Sequence, residues 1–301
     1  MIEAATRAAP AVRTRSSARQ VVSDYVELTK PKVQSLLLLT TITTMEVAGS
    51  PSASKIALTC LGGYLSAGGA GAVNHYWDRD IDAQMARTAT RPIPAGRIAP
   101  RAALIFGFTL SALSFALLSL TVNVLAASLA LGGFLGYVGV YTIWLKRRTP
   151  QNIVIGGAAG AVPPLVGWAA TRGSLSWTAV YLFAIVFYWT PPHFWALSLL
   201  MKSEYEKVGV PMMPVVRGER ETRKQILLYS LLLYAITQLP FCAGAFGAVY
   251  LASSMVLGFA FIAGAVVLYR RADRRSALRL YLFSLLYLAL LFGAMVIDVK
   301  L

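Results

Sequence analysis

Long apolar stretches, separated by short polar and charged segments, occupy most of the chain after residue 32. Crossing a bilayer as a helix takes roughly 17 to 25 residues of this kind. Nine runs approach or reach that length, although the first is short, near residues 33–48, 55–75, 102–121, 123–145, 152–170, 176–200, 226–246, 248–269 and 280–298. The pattern therefore predicts an all-α polytopic membrane protein, a bundle of nine transmembrane helices.

The composition supports this prediction. Hydrophobic residues make up 57% of the chain and charged residues only 14%. A soluble domain could not cover its surface with so few polar side chains. We expect an N-terminal tail over residues 1–30 and a single transmembrane domain over residues 31–301, with no soluble domain between the spans.

The basic residues predict the orientation. The net charge is +15, and all but three of the 28 Lys and Arg fall on the side of the membrane that holds the N-terminus if there are nine spans. The positive-inside rule places that side in the cytoplasm. We expect a multi-pass protein of the bacterial plasma membrane with a cytoplasmic tail; the mitochondrial inner membrane is the alternative. The basic residues lie in short loops beside the membrane, which indicates contact with lipid headgroups and not with nucleic acid.

An acidic motif follows the second apolar run, in the stretch NHYWDRDIDAQ at residues 74–84. If the helix continues, Asn74, Asp78 and Asp82 share one face, whereas Asp80 points elsewhere. Stacked carboxylates repel each other, and a helix C-terminus adds partial negative charge. A cation must therefore neutralise them. Mg²⁺ suits this oxygen-rich ligand set; the alternative is a solvated helix end whose acids pair with Arg79, Arg87 or Arg91.

Cationic side chains follow the acids. Arg87 and Arg91 lie four residues apart in RTATRPIPAG, and an Arg fork matches phosphate oxygens. Lys146, in YTIWLKRRTPQN, lies nearest the membrane and can reach the same anion. A metal-binding face beside such cations is suited to a diphosphate. Alternatively the Arg residues only set the topology, the role that we expect of the two Arg after Lys146. Lys30 and Lys32 add charge from the first helix.

The sixth apolar run contains PPHFWAL at residues 191–197. The two prolines remove backbone donors and should kink or break the helix. His193 lies among aromatic residues, roughly 10 Å deep at 1.5 Å per residue. An ionisable group at that depth is a candidate for contact with a flat aromatic ligand. For His75, beside the acids, we expect an exposed interfacial position without a functional role.

The second long loop begins KSEYEKVGVPMMPVV, residues 202–216, with Glu204 as its first acid. Its apolar part is too short to span a membrane. A loop of this kind can re-enter the interface and cap a cavity, or it can be an ordinary amphipathic connector.

Together these stretches resemble the UbiA-type intramembrane prenyltransferases, a family with nine spans. The similarity extends in order from residue 28 to residue 216. It rests on LTKPKV, NHYWDRDIDAQMARTATRPIPAG, YTIWLKRRTPQN, PPHFWAL and YEKVGVPMMPV. The first acidic motif is typical of the whole family, whereas PPHFWAL and GVPMMPV resemble the branch that farnesylates heme.

The resemblance implies a substrate pair, a cofactor and roles for the candidate residues. Farnesyl diphosphate would donate its farnesyl group to a vinyl group of heme b, with Mg²⁺ assisting ionisation. The implied partners are these substrates, membrane lipid, and heme A synthase or the terminal oxidase assembly machinery. Asn74, Asp78 and Asp82 would bind Mg²⁺, and Arg87, Arg91 and Lys146 would hold the diphosphate; the remaining substrate contacts would be Tyr141, His193, Glu204 and Tyr205.

Two positions depart from the family pattern. A second DxxxD motif would fall on Met201 and Tyr205, where only Glu204 offers a nearby carboxylate. The family's YxxxK becomes Tyr141 with Lys146 five positions on.

Two other functions remain open on the residues alone. A prenyltransferase for another aromatic acceptor, such as a quinone precursor, would share the metal site. A transporter would carry charges or broken helices near mid-membrane in paired halves.

Overall fold

The computed structural model describes residues 17–301, and within that range the chain is helical with no strand. This confirms the all-α prediction. The helices are α1 (Ala18–Leu28), α2 (Pro31–Ala48), α3 (Ala53–Trp77), α4 (Arg79–Gln84), α5 (Pro100–Thr121), α6 (Val124–Leu135), a π-helix (Gly136–Leu145), α7 (Asn152–Gly160), α8 (Val162–Arg172), α9 (Trp177–Leu200), α10 (Lys202–Lys207), α11 (Met213–Val216), α12 (Gly218–Cys242), α13 (Ala248–Arg271) and α14 (Arg274–Lys300).

Seven helical segments of the described chain are long and apolar enough to cross a membrane. They are α3, α5, α6 with the π-helix, α7 with α8, α12, α13 and α14, so the protein is a multi-pass integral membrane protein. The predicted first and sixth spans form α2 and α9 but are not among the seven. Lys, Gln, Glu and Thr lower the mean hydropathy of α2, and Trp, Tyr, Pro and His lower that of α9. The count of nine spans is therefore not confirmed.

The predicted boundaries fall within a few residues of the observed helix ends except at the starts of α12 and α14; α14 begins at Arg274, whereas the ninth apolar run begins near residue 280. The helix α12 begins at Gly218, whereas the seventh apolar run begins near residue 226. Its first two turns are polar and give no hydropathy signal. Glu219 and Glu221 lie in the first turn, where the helix dipole favours negative charge.

Glycines allow close approach between the long helices. A Cβ added at Gly69 on α3 would lie 2.5 Å from the carbonyl oxygen of Gly107 on α5. A Cβ at Gly167 on α8 would lie 2.5 Å from the carbonyl oxygen of Thr41 on α2. Small residues at helix contacts are typical of membrane bundles, because van der Waals packing drives helix association there.

The prolines of α9 do not break it. The helix runs from Trp177 to Leu200 with Pro191 and Pro192 inside it, so the predicted break is wrong. Membrane helices tolerate interior prolines where neighbouring helices and side chains compensate for the lost hydrogen bonds. The Thr190 hydroxyl also donates to the Val186 carbonyl, 2.8 Å away, in the turn before the proline pair; the carbonyls that lose their backbone donors are those of Phe187 and Tyr188.

The N-terminal segment adds a helix that the sequence did not predict. Residues 1–16 of the expected tail lie outside the described residues. The helix α1 follows, and Asp24 is buried on it, with its carboxylate 2.9 Å from Nε of Arg97 in the loop after α4. This contact holds α1 against the end of the bundle where α2 begins and α3 ends. The same end carries the acidic motif.

Candidate active site

The acidic motif forms one buried face. The helix α3 ends at Trp77, but the backbone bonds continue: Asp78 N–H donates to the Asn74 carbonyl at 2.9 Å, and Asp82 N–H to the Asp78 carbonyl at 2.8 Å. The three side chains therefore keep their one-turn spacing. Their residues are only 3%, 1% and 4% exposed, so the alternative of a solvated helix end is wrong. Asp80 is exposed, on the other side.

A cation accompanies each buried carboxylate. Lys146 forms an ion pair with Asp78. Arg91 Nη1 lies 2.7 Å from Asp82 Oδ2. Burial makes an unpaired carboxylate costly, so the pairing is what allows both acids to remain in the bundle. The alternative to a metal site predicted that the acids pair with Arg residues. Arg91 does pair with Asp82, but the pair lies in the bundle and not at a solvated helix end.

Asn74 connects the acids to two neighbouring helices. Its side-chain oxygen accepts from Lys30 Nζ, and its amide nitrogen donates to Asp78 Oδ2 at 2.7 Å and to the Thr142 hydroxyl at 3.2 Å. Lys30, just before α2, also lies 3.4 Å from the Tyr137 hydroxyl. Burial, followed by the charges of Arg91 and Lys146, lowers the pKa of Lys30 to about 7. An anion bound here would raise that pKa and keep the lysine charged.

A π-helix brings the cation to the acid. Lys146 N–H donates to the carbonyl of Tyr141, five residues earlier, at 2.9 Å. The residues that reach the acids and Lys30 are Tyr137, Thr142 and Lys146, at spacings of five and four. A π-helix has about 4.4 residues per turn, so these three share a face that an α-helix would not give them. The extra residue between Tyr141 and Lys146 is absorbed in this way.

Arg147 contributes more than topology, contrary to our expectation. It donates to both carboxylate oxygens of Asp80, at 2.8 and 2.7 Å, and to the Trp77 carbonyl at 2.9 Å. The hydrogen bond from Arg147 lowers the pKa of Asp80. Its Nη2 also lies 3.6 Å from Asp78 Oδ1. Hydropathy gives no indication that Arg147 pairs with Asp80 or that Thr142 contacts Asn74. For Arg147, the only sequence signal was its position directly after Lys146 in the YTIWLKRR segment.

Several predicted site residues form no hydrogen bond or ion pair with the side chains of this cluster. Arg87 is exposed and makes no ion pair with a described residue. Glu204 and Tyr205 lie on α10, half-buried, and Oε2 of Glu204 is buried without a described hydrogen-bond partner. Tyr141 is closer, since its ring packs on that of Tyr137 with centroids 5.3 Å apart.

The two histidines occupy different environments. His193 lies between two aromatic rings, with centroids 4.3 Å from Trp189 and 4.9 Å from Tyr281, and its Nδ1 is 2.7 Å from the Ser284 hydroxyl. His75 is only 1% exposed, and neither ring nitrogen has a hydrogen-bond partner among the described residues. The expected exposed position of His75 is therefore wrong: α3 continues past it to Trp77, and residues of α1 and α2 line a pocket beside it.

The acidic face has the donor chemistry for a divalent cation. Asp78 Oδ1 is buried without a hydrogen bond, and Asn74 and Asp82 bring further oxygens to the same face. No group of three or more His, Cys, Asp or Glu that could hold a metal occurs in residues 17–301. A closed protein cage is therefore absent from that range. The arrangement fits Mg²⁺, which takes one or two carboxylates and shares its remaining positions with water and phosphate oxygens.

The family model for UbiA prenyltransferases matches residues 36–291. A protoheme IX farnesyltransferase from Symbiobacterium thermophilum is 56% identical over 291 residues, which cover 95% of this chain and 97% of the relative. One from Chloroflexus aurantiacus is 55% identical over 95% of this chain but only 49% of its own length. The chain thus spans about half the length of some curated relatives and nearly the whole of others.

Solved structures share the fold. A structure of digeranylgeranylglyceryl phosphate synthase superposes with a TM-score of 0.77 at 20% identity, over 94% of this chain and 100% of the other. A UbiA homologue from Archaeoglobus fulgidus, bound to DMAPP and Mg²⁺, gives a TM-score of 0.68 at 17% identity, over 90% and 99%. At these identities the likeness concerns the fold.

Proposed function

The chain belongs to the UbiA prenyltransferase family, and from this premise we propose that it transfers the farnesyl group of farnesyl diphosphate to a vinyl group of heme b. The observation that carries the chemistry is the buried acidic face with its cations Lys30, Arg91 and Lys146. The name shared by the curated relatives supports heme as the acceptor. A quinone precursor as acceptor would use the same acidic face but lacks this support, and family membership argues against a transporter.

The reaction begins with loss of the leaving group. The C–O bond between the farnesyl carbon and the diphosphate breaks, and the electron pair leaves with the diphosphate. Lys146 and Arg91 would stabilise the negative charge that develops on the leaving oxygens, as preorganised cations do in a buried site. Lys30 would add a third cation, and Arg87 would have to turn inward from its exposed position to contribute.

The acids would hold the metal. Asn74, Asp78 and Asp82 are the ligands that we propose for Mg²⁺, and Asp78 Oδ1, which accepts no hydrogen bond, is available to bind it. When bound, Mg²⁺ supplies Lewis-acid neutralisation of the diphosphate. Lys146 and Arg91 now pair with one oxygen of each acid, so these cations would turn from the carboxylates toward the phosphate oxygens when the diphosphate binds.

The allylic cation then meets the acceptor. The vinyl π-electrons form the new C–C bond, and water adds to the cation left on the porphyrin side chain. That water keeps one hydrogen as the product hydroxyl and releases the other to solvent as a proton. The product is hydroxyethylfarnesyl heme. The apolar bundle would protect the first cation from water, and we propose that Tyr141, His193, Glu204 and Tyr205 contact the substrates.

The finer topology remains part of the proposal. We propose that α2 and α9 also cross the bilayer, giving nine spans in a single domain over residues 31–301. The acidic face and the basic loops would then lie on the cytoplasmic side of the plasma membrane. Heme A synthase or the terminal oxidase assembly machinery would receive the product.

The test is a direct assay. Membranes containing the protein are incubated with heme b, farnesyl diphosphate and Mg²⁺, and the heme pigment is identified by mass. We expect the mass of hydroxyethylfarnesyl heme, absent from membranes that contain the Asp78→Ala variant. Unmodified heme b beside a prenylated quinone precursor, when both acceptors are supplied, would assign the acceptor to the alternative.

A further inference from the structure

An apolar cavity lies between α2, α3, α6 and α8. Its empty space is about 600 Å³, a volume that includes solvent on its open side. Small and aliphatic side chains form most of its wall, among them Leu37, Leu38, Ala67, Ala70, Val162 and Val166.

Most polar groups of the wall are satisfied within the protein, but the side-chain oxygen of Gln34 is buried without a hydrogen-bond partner among the described residues. The Ser66 hydroxyl donates to the Ala130 carbonyl at 2.9 Å, and the Gln34 amide nitrogen donates to the Thr29 carbonyl at 3.0 Å. The Thr41 hydroxyl donates to the Leu37 carbonyl of its own helix at 3.0 Å. A ligand here would meet mainly carbon atoms, so the cavity is suited to a hydrocarbon chain.

The cavity continues directly from the acidic face. On α3, the cavity is lined by Gly63, Ala67 and Ala70. Asn74 and Asp78 follow on the same helix, and each of these five residues lies three or four positions after the one before it. All five therefore lie on one helix face. On α2, the lining residues Gln34 and Thr41 follow Lys30 in the same way. Tyr137 lines the cavity and lies within 3.4 Å of Lys30.

The two helices also give the depth. Lys30 and Asn74 are in contact at the acidic end. Thr41 is the eleventh residue after Lys30, and Gly63 is the eleventh before Asn74, so on these antiparallel helices both lie roughly 16 Å from the acids at 1.5 Å per residue. They are the deepest lining positions on α2 and α3.

We propose that this cavity holds the isoprenoid chain of the diphosphate donor and that Gly63, opposite Thr41, sets the longest chain that fits. The inference rests on the proposed function. A Cβ added at Gly63 meets no atom within 4 Å, so a larger side chain there enters the cavity without displacing the bundle. It would occupy the space of the last isoprene unit and leave the part near the diphosphate open.

The test compares donors in competition. Purified Gly63→Leu and the unchanged protein receive equal amounts of geranyl and farnesyl diphosphate with heme b and Mg²⁺, and the two prenylated hemes are quantified by mass. We expect the ratio of geranyl to farnesyl product to rise at least about tenfold, because loss of apolar contacts at a pocket end discriminates on that scale. Gly132→Leu is the matched control: Gly132 is exposed on α6, its added Cβ also meets no atom, and its ratio should not change.

A second variant approaches the same space from the other wall. Thr41→Leu should shift the ratio in the same direction, and it decides the question if Gly63→Leu does not accumulate. An unchanged ratio in a folded variant that still turns over geranyl diphosphate would overturn the inference while leaving the proposed function intact. Absence of any prenylated heme from the unchanged protein would instead refute the proposed function, and this inference with it.

Discussion

Lys146 reaches Asp78 because the helix that carries the lysine changes from α to π geometry at Gly136, ten residues before it. The same change turns Thr142 toward Asn74. A one-residue difference from the family's YxxxK spacing is thereby compensated within the helix, and the cation still meets the acid. The catalytic geometry that we propose depends on this register.

The register can be tested by moving the lysine. We expect Lys146→Met to lower turnover at least about 100-fold, the scale of losing one stabilising group of a developing charge. Adding Leu145→Lys to that variant restores the YxxxK spacing in the sequence but not in space, because position 145 lies on another face of the π-helix. Heme prenylation should therefore stay low. Recovery of turnover in the double variant would show that the segment is α-helical in the working protein.

Substitution of the buried acids of the motif should lower activity far more than substitution of the exposed acid. Asp78→Ala and Asp82→Ala should each lower heme prenylation at least about 100-fold, whereas Asp80→Ala, the matched control in the same motif, should retain most activity. Truncating Asp78 leaves the partly buried Lys146 without its partner, which costs up to about 3–5 kcal/mol. Thermal unfolding in detergent must therefore accompany the assay. Full turnover in both buried-acid variants would contradict the metal assignment.

Metal removal should be reversible. With chelator in excess over all divalent cations we expect no prenylated heme, and added Mg²⁺ should restore the rate. Ca²⁺ should restore little, because it prefers more ligands at longer distances than two carboxylates and an amide provide. The protein should remain folded throughout, since Lys146 and Arg91 neutralise the acids without metal. Undiminished turnover in chelator would refute the mechanism.

Hydropathy and local chemistry predicted much of the fold. Apolar runs located the long helices, because membrane spans must be continuous and apolar. The i, i+4 spacing placed Asn74, Asp78 and Asp82 on one face, and the structure shows that face. The start of α12 at Gly218 was not predicted, because the first turns of this helix are polar and carry no hydropathy signal.

What the sequence did not reveal depends on contacts between distant segments. Lys30 meets Asn74 across 44 positions, and Arg147 meets Asp80 across 67. The residues of α1 and α2 that line the pocket beside the buried His75 lie far from it in the sequence. The π-helix has no simple sequence signature. The sequence therefore could not predict which side chains of this segment face the acids, and the structure shows it by the contact between Lys146 and Asp78.

His193 offers a test of the acceptor site. Its ring lies between Trp189 and Tyr281 and contacts Ser284. His193 therefore either contacts heme itself or holds these neighbouring side chains in position. We expect His193→Ala to weaken heme binding in absorbance titrations and to lower turnover. Ser284→Ala, which removes only the hydrogen bond, should have the smaller effect. Unchanged heme affinity and turnover in His193→Ala would reject a substrate-contacting role.

Gly167 should be sensitive to the smallest addition. One of its α-hydrogens faces the backbone carbonyl of Thr41, and a methyl group in place of that hydrogen would sit 2.5 Å from the carbonyl oxygen. Because the obstacle is backbone, Gly167→Ala must push α8 away from α2, and overpacking of this kind costs about 1–3 kcal/mol. We expect a lower melting temperature in detergent, whereas Gly132→Ala, with open space around its Cβ, should melt like the unchanged protein. Since Thr41 and Val166 line the cavity, the separation should also loosen its deep end and raise the share of longer prenyl donors accepted. Equal melting temperatures for the two variants would mean that α2 and α8 do not approach each other this closely.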